Sequence, residues 1–241
     1  MSLRFAGTSG QANLNGAAAL GNTTSGTILD WWRKEDSTVD RDILQLSRSG
    51  GGAVIRVGAA GQIKGGFNQN AAGFGTFNVA TNDYVGIALT ISDSVVQFYA
   101  YDGSSLTLVA TDSSFYAPTN LNNCYFGNTG AWGAAAVGCH RYGRYWGGRI
   151  LNYAELLAEF QMIPSPGTPA ASTTNLRGSW LFPDATTNTD VSGVGNTITI
   201  SNGSTSADEP PIGGSASPAI VSVRQSPARS LGLGSFGVKI I

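Results

Sequence analysis

Few residues in this chain could support catalysis. It has four glutamates (Glu35, Glu155, Glu159 and Glu209), one histidine (His140) and two cysteines (Cys124 and Cys139). Glycosidic-bond hydrolysis needs two carboxylates facing each other across the bond, about 5–10 Å apart. Glu35 and Glu209 fall in expected turns, while Glu155 and Glu159 stand one turn apart on an expected helix. None sits on an expected groove-facing strand. A Ser or Cys nucleophile would need His140 as its base. Cys139 adjoins that histidine, but neighbours on a strand point to opposite faces, and Cys124 has no supporting motif. The expectation is no catalytic set and no enzyme, with His140 a packed or surface residue.

Binding chemistry has more candidates. Asp40-Arg41-Asp42, or Asp184 with Asp190, could offer hard oxygen ligands to a single Ca2+. Carboxylates that cap their own turns are the simpler account, so no cofactor is expected. Arg141-Tyr142-Gly143-Arg144-Tyr145-Trp146 and Trp132 could form a sugar or partner contact, because flat rings stack on sugar faces and arginine donates to hydroxyls. The preferred reading puts Tyr145 and Trp146 in the core and the arginines on its rim. Trp31 and Trp32 are adjacent on an expected strand. One should be buried and the other should face an inter-element or inter-subunit surface. No glycine-rich run leads into a Lys-Ser/Thr pair, so no phosphate loop is present.

The elements that must position these groups follow from composition. The 241 residues include 33 Gly and only 12% charged residues, with 41% hydrophobic and a net charge of −1. Globular chains average about 25% charged residues, so ionised groups are sparse while aromatic content is ample. Such a balance gives no field for nucleic acid or an anionic membrane. No run approaches the ~20 apolar residues of a membrane span, and the opening residues lack the apolar core of a secretory signal. Two cysteines suit buried thiols better than a disulfide scaffold.

Short apolar runs rich in aromatic and β-branched residues predict strands at 27–32, 43–48, 53–58, 74–79, 84–91, 95–101, 106–111, 123–127, 145–151, 177–182 and 196–201. Gly, Asn, Asp and Ser clusters punctuate them. A dozen strands without intervening helices means sheet packed on sheet. One helix interrupts the series. Asn152 caps it, Glu155 completes a capping box, and Leu156, Leu157 and Phe160 share a face that should plug an open end of the sandwich. Residues 164–174 read as a surface connection within a domain spanning 1–212. Residues 213–241 read as an extended, basic C-terminal arm suited to assembly, carrying Arg224, Arg229, Leu231, Leu233, Phe236, Val238 and Ile240.

The order of segments resembles the laminin-G-like, or concanavalin A-like, jelly roll. Leu3-Arg4-Phe5-Ala6-Gly7 is similar to that family's first strand, and Ile28-Leu29-Asp30-Trp31-Trp32 to a later strand ending in a polar turn. Asp83 to Thr90 followed by Val95 to Gly103 is similar to its central strand pair closing on an Asp-Gly turn. Trp146-Gly147-Gly148-Arg149-Ile150-Leu151-Asn152 resembles its late strand and short helix. Residues 176–209 look like the family's opening segment displaced to the C-terminal side, an arrangement that recurs in virion proteins of tailed phages. The resemblance implies an all-β, antiparallel two-sheet jelly-roll sandwich with one short helix and the C-terminal arm. The Glu-x-Asp-x-x-Glu strand of its hydrolase members and the Ca/Mn cluster of its legume-type lectins are both absent.

The function expected from these readings is a non-enzymatic structural protein of a tailed-phage virion, either a capsid decoration or a tail-associated subunit. Its partners would be capsid or tail subunits and further copies of itself, with no nucleic acid and no membrane. Its location would be the virion, after synthesis in the host cytoplasm without a signal peptide. The alternative is a carbohydrate-binding, lectin-like module of a phage adhesin or cell-surface protein.

Overall fold

The structure is a computed structural model that describes residues 2–6, 9–35, 41–48, 51–58, 61–67, 74–92, 95–113, 119–127, 134–162, 173–187 and 189–207. Trp132, most of the 164–174 connection and the whole 213–241 arm, from Arg224 to Ile240, lie outside the described residues.

The first eight strands are β1 (Ser2–Phe5), β2 (Gln11–Asn15), β3 (Gly26–Lys34), β4 (Arg41–Arg48), β5 (Gly51–Val57), β6 (Gln62–Phe67), β7 (Phe74–Asn78) and β8 (Tyr84–Ile91). They are followed by β9 (Val96–Tyr101), β10 (Leu106–Asp112), β11 (Leu121–Gly127), β12 (Ala134–Ala135) and β13 (Gly138–Gly147). Helix α1 (Tyr153–Gln161) precedes β14 (Leu176–Trp180), β15 (Thr199–Ser201) and β16 (Ser204–Ser206). They form two sheets. One runs β10-β9-β8-β3-β13-β1-β16, with β14 also on β13; the other runs β15-β2-β11-β4-β5-β6-β7, with β12 beside β4. The pairings are antiparallel except for the short β12–β4 contact. The fold is a jelly-roll-like sandwich, as the segment order implies.

The segment after residue 175 completes both sheets. β14 lies against the second half of β13 and β1 against its first half, end to end along one edge. β15 pairs with β2, and β16 pairs with β1.

Two apolar layers hold the molecule together. The first fills the space between the sheets and includes Leu3, Phe5, Ile28, Trp32, Leu44, Leu46, Ile87, Phe98, Phe126 and Trp180. The second lies on the opposite face of the first sheet, where Leu29, Trp31, Ala88, Tyr99, Tyr101 and Trp146 meet Leu156 and Phe160 of α1. Alternate residues of β3 therefore feed two different layers, and the strand is buried almost throughout.

The helix position corrects one expectation. α1 roofs the outer face of a sheet instead of plugging an end of the sandwich. Its capping box is present: Glu155 N–H donates to Asn152 Oδ1 at 3.0 Å, and Asn152 N–H donates to Glu155 Oε2 at 2.9 Å. Arg144 donates to Glu159 at 2.5 Å in a buried ion pair that pins the helix to β13. Close approach also needs Gly86, where an added Cβ would come within 2.5 Å of the Phe160 ring.

Candidate functional site

Of the expected contact residues that the structure describes, Trp31, Trp32, Tyr142 and Arg144 are buried and do not form an open platform. Trp32 is fully buried between the sheets. Trp31 is 6% exposed beneath α1, edge-on to Tyr101 at 5.6 Å and to Phe160 at 5.9 Å. Tyr142 and Arg144 are buried on the same helix-covered face. Tyr142 sits at a β-bulge with φ +61°. The Arg141 guanidinium lies 4.5 Å from the Tyr142 ring centroid and donates to Leu181 O at 2.7 Å. The 141–146 run thus fills core and cements strands, leaving no ring face for a sugar. The helix is the physical reason for Tyr142, Arg144 and Trp146, whose face it covers, while Tyr145 points into the layer between the sheets.

The acids considered for metal binding are engaged elsewhere. Asp184 accepts from the backbone N–H groups of Thr186 and Thr187 and from both hydroxyls. Asp190 accepts from the N–H groups of Ser179, Ser192, Gly195 and Asn196. Asp42 is paired with Arg56 at 2.5 Å, and Asp40 lies outside the described residues. Among the described residues no group of three or more His, Cys, Asp or Glu could hold a metal ion.

Glu35 closes the end of β3. It accepts from Arg4 at 2.7 Å and Arg33 at 2.5 Å, and the Cys139 thiol points at it from 3.4 Å. Burial works against its ionised form, but the two guanidinium donors outweigh that and hold it below the usual carboxylate range. Both cysteines are free, and burial pushes both thiols up. His140 is sealed in the core, where Nδ1 lies 2.6 Å from Asp30 Oδ2.

A groove that the sequence reading did not single out opens beside β7, the 79–83 turn, the start of β8 and the β9–β10 hairpin. Its volume is about 620 Å3, and Arg33, Phe77, Asn78, Asn82, Asp83, Tyr84 and Asp102 are among its lining. Its wall is stapled in place by Lys34. This ammonium group is 5% exposed and donates to Gly61 O at 3.0 Å and to Val79 O. Asn82 takes a left-handed φ of +70°, which asparagine tolerates better than most residues, and its N–H donates to Lys34 O at 2.7 Å. Asp102 is occupied by the N–H and hydroxyl groups of Ser104 and Ser105. The Asn78, Asn82 and Asp83 side chains are exposed and make no hydrogen bond within the described residues. The only sequence signal was the polar Asn82-Asp83 pair ahead of the aromatic Tyr84, which reads equally well as an ordinary turn.

No protein-family model matches this sequence, and no curated relative does. Solved structures do match. A heptameric SAP-like pentraxin from Limulus polyphemus is similar at TM-score 0.50 and 12% identity, covering 85% of this chain and 94% of that one. The fold is a jelly roll. A sialidase from Trypanosoma rangeli is similar at TM-score 0.52 and 16% identity over 64% of this chain. This chain spans about a quarter (26%) of the sialidase's length. Tailspike protein 2 of bacteriophage CBA120 matches at TM-score 0.45 and 11% identity, over 67% of this chain and 27% of that one, too loosely to carry weight. The sialidase neighbours correct the expectation that this chain is no enzyme. A similar fold occurs within a sialidase, so the fold offers no ground for excluding catalysis. At these identities the likeness shows the fold alone.

Proposed function

We propose that this chain is a lectin-like recognition module that binds glycans at the groove beside the 79–83 turn. The observation that carries this reading is the pairing of half-buried aromatic residues, Phe77 and Tyr84, with the exposed side chains of Asn78, Asn82 and Asp83, which make no hydrogen bond among the described residues. A sugar ring needs both an apolar face to rest on and polar groups for its hydroxyls. The groove's volume falls within the ~300–1,000 Å3 of small-ligand sites. The direct test is to probe a glycan array with the labelled full chain. Reproducible binding to a related set of glycans is the expected result, and an array without signal would refute the reading.

A second reading keeps the virion assembly role, with capsid or tail subunits and further copies of this chain as partners. It is favoured by β10, which ends the first sheet and carries Leu108 at 45% exposure. Exposed apolar edge strands are surfaces on which other chains add. In this reading the 213–241 arm supplies the second contact. Deleting those residues should leave the sandwich folded and abolish incorporation into particles; normal incorporation of the truncated chain would refute it.

A further inference from the structure

We infer that the groove selects neutral saccharides and rejects anionic ones, with Asp83 as the residue that sets this preference. The inference rests on the glycan-binding reading above and specifies its ligand class.

The polar groups of the groove differ in how far their bonding capacity is already used. Among the described lining residues the cation is Arg33, whose guanidinium donates to Glu35 at 2.5 Å. The Lys34 ammonium is turned away into buried carbonyls. Asp102 has its carboxylate taken up by the Ser104 and Ser105 donors. Asp83 is different, because only its backbone is engaged: its carbonyl accepts from Lys34 N–H at 3.4 Å and its N–H donates to Ala80 O at 3.3 Å. The carboxylate is therefore an anchored, unspent acceptor facing solvent at the groove's edge.

An ionised carboxylate accepts hydrogen bonds and donates none. Vicinal hydroxyls of a neutral sugar can donate to its two oxygens, and charge-assisted bonds of this kind are the stronger class. The neighbouring Asn78 and Asn82 carboxamides can both donate and accept. Phe77 and Tyr84 support the apolar face of the ring. A sugar carboxylate in the same place would meet the two negative charges of Asp83 and Asp102 against a single excess positive charge, since Arg33 and Arg4 share the one carboxylate of Glu35. Like charges brought together with too little compensating cation are penalised.

The test titrates the full chain with lactose, cellotriose, chitotriose and sialyllactose, followed by calorimetry or saturation-transfer NMR. The wild-type chain should bind at least one neutral sugar and bind sialyllactose about tenfold or more weakly than lactose. Asp83→Ala should lower neutral-sugar affinity about tenfold and narrow the gap to sialyllactose. Its unfolding curve should match the wild type, because the side chain makes no internal bond. Neutral binding undiminished in Asp83→Ala overturns the role given to Asp83 while leaving the glycan reading standing. Sialyllactose bound as tightly as lactose overturns the charge selection. A wild-type chain that binds none of these sugars, together with a silent array, overturns the glycan reading itself.

Discussion

His140 Nδ1 lies 2.6 Å from Asp30 Oδ2, and both side chains are fully buried between the two sheets. The His140 ring packs against Phe5 at 5.1 Å and Phe126 at 6.5 Å. Among the described residues His140 Nε2 has no hydrogen-bond partner. Desolvation raises the Asp30 pKa, and the attraction and hydrogen bond of His140 act against that rise. Each residue thus makes the other's burial tolerable, and the couple bridges β3 and β13 from inside the core.

Removing one partner should be costly. His140→Leu strands Asp30 in an apolar layer and is expected to destabilise the fold by ~3–5 kcal/mol. The double variant, Asp30→Leu with His140→Leu, should cost clearly less than the sum of the two single changes. Urea unfolding of the four chains measures this. Additive losses would mean that the two side chains do not depend on one another.

The helix roof gives a second expectation. Glu159→Ala leaves Arg144 buried without its carboxylate and should cost ~3 kcal/mol, read by denaturant unfolding. Trp31 lies directly beneath α1, so loosening the helix should also shift tryptophan emission to the red. Unchanged stability and emission would show that α1 is held by its apolar face alone.

Asp184 makes stability depend on acid. Burial is the largest single influence and opposes its ionisation, but the N–H and hydroxyl donors of Thr186 and Thr187 together outweigh it and lower its pKa from 3.8 to about 2. The folded carboxylate therefore holds its proton less tightly than the unfolded one. Its contribution is present in full above about pH 4 and is lost as pH falls towards 2. Asp184→Ala should lower stability near neutrality and remove that part of the acid-dependent loss. Wild type and variant losing stability in parallel between pH 4 and 2 would contradict the cap.

How much of this was legible in the sequence depended on local chemistry. The start of the helix was readable because Asn152 and Glu155 cap it. The β8 strand was readable because its apolar run stands between turn residues. By contrast, β6 was hidden by its glycines, one of which exists for packing: a Cβ at Gly65 would come within 2.7 Å of Phe98. β2 carries only Ala12 and Leu14 as apolar residues, too few to show a period. The start of β13 at Gly138 was missed because that strand is buried on both faces and bulges at Tyr142, so its alternation is broken. The adjacent tryptophans were readable as opposite-facing, but what covered Trp31 was not. The groove was invisible for another reason. It is assembled from residues 33, 77–85 and 102, which only the sheet pairing brings together.

The proposed recognition depends on this groove holding a glycan. Amide chemical-shift mapping of the isotope-labelled full chain, with the best neutral sugar from the array added stepwise, tests it most directly. The predicted result is saturable shifts concentrated at Asn78, Asn82, Asp83 and Tyr84, with the core strands unmoved. Saturable shifts confined to another surface, or none at all, would contradict it.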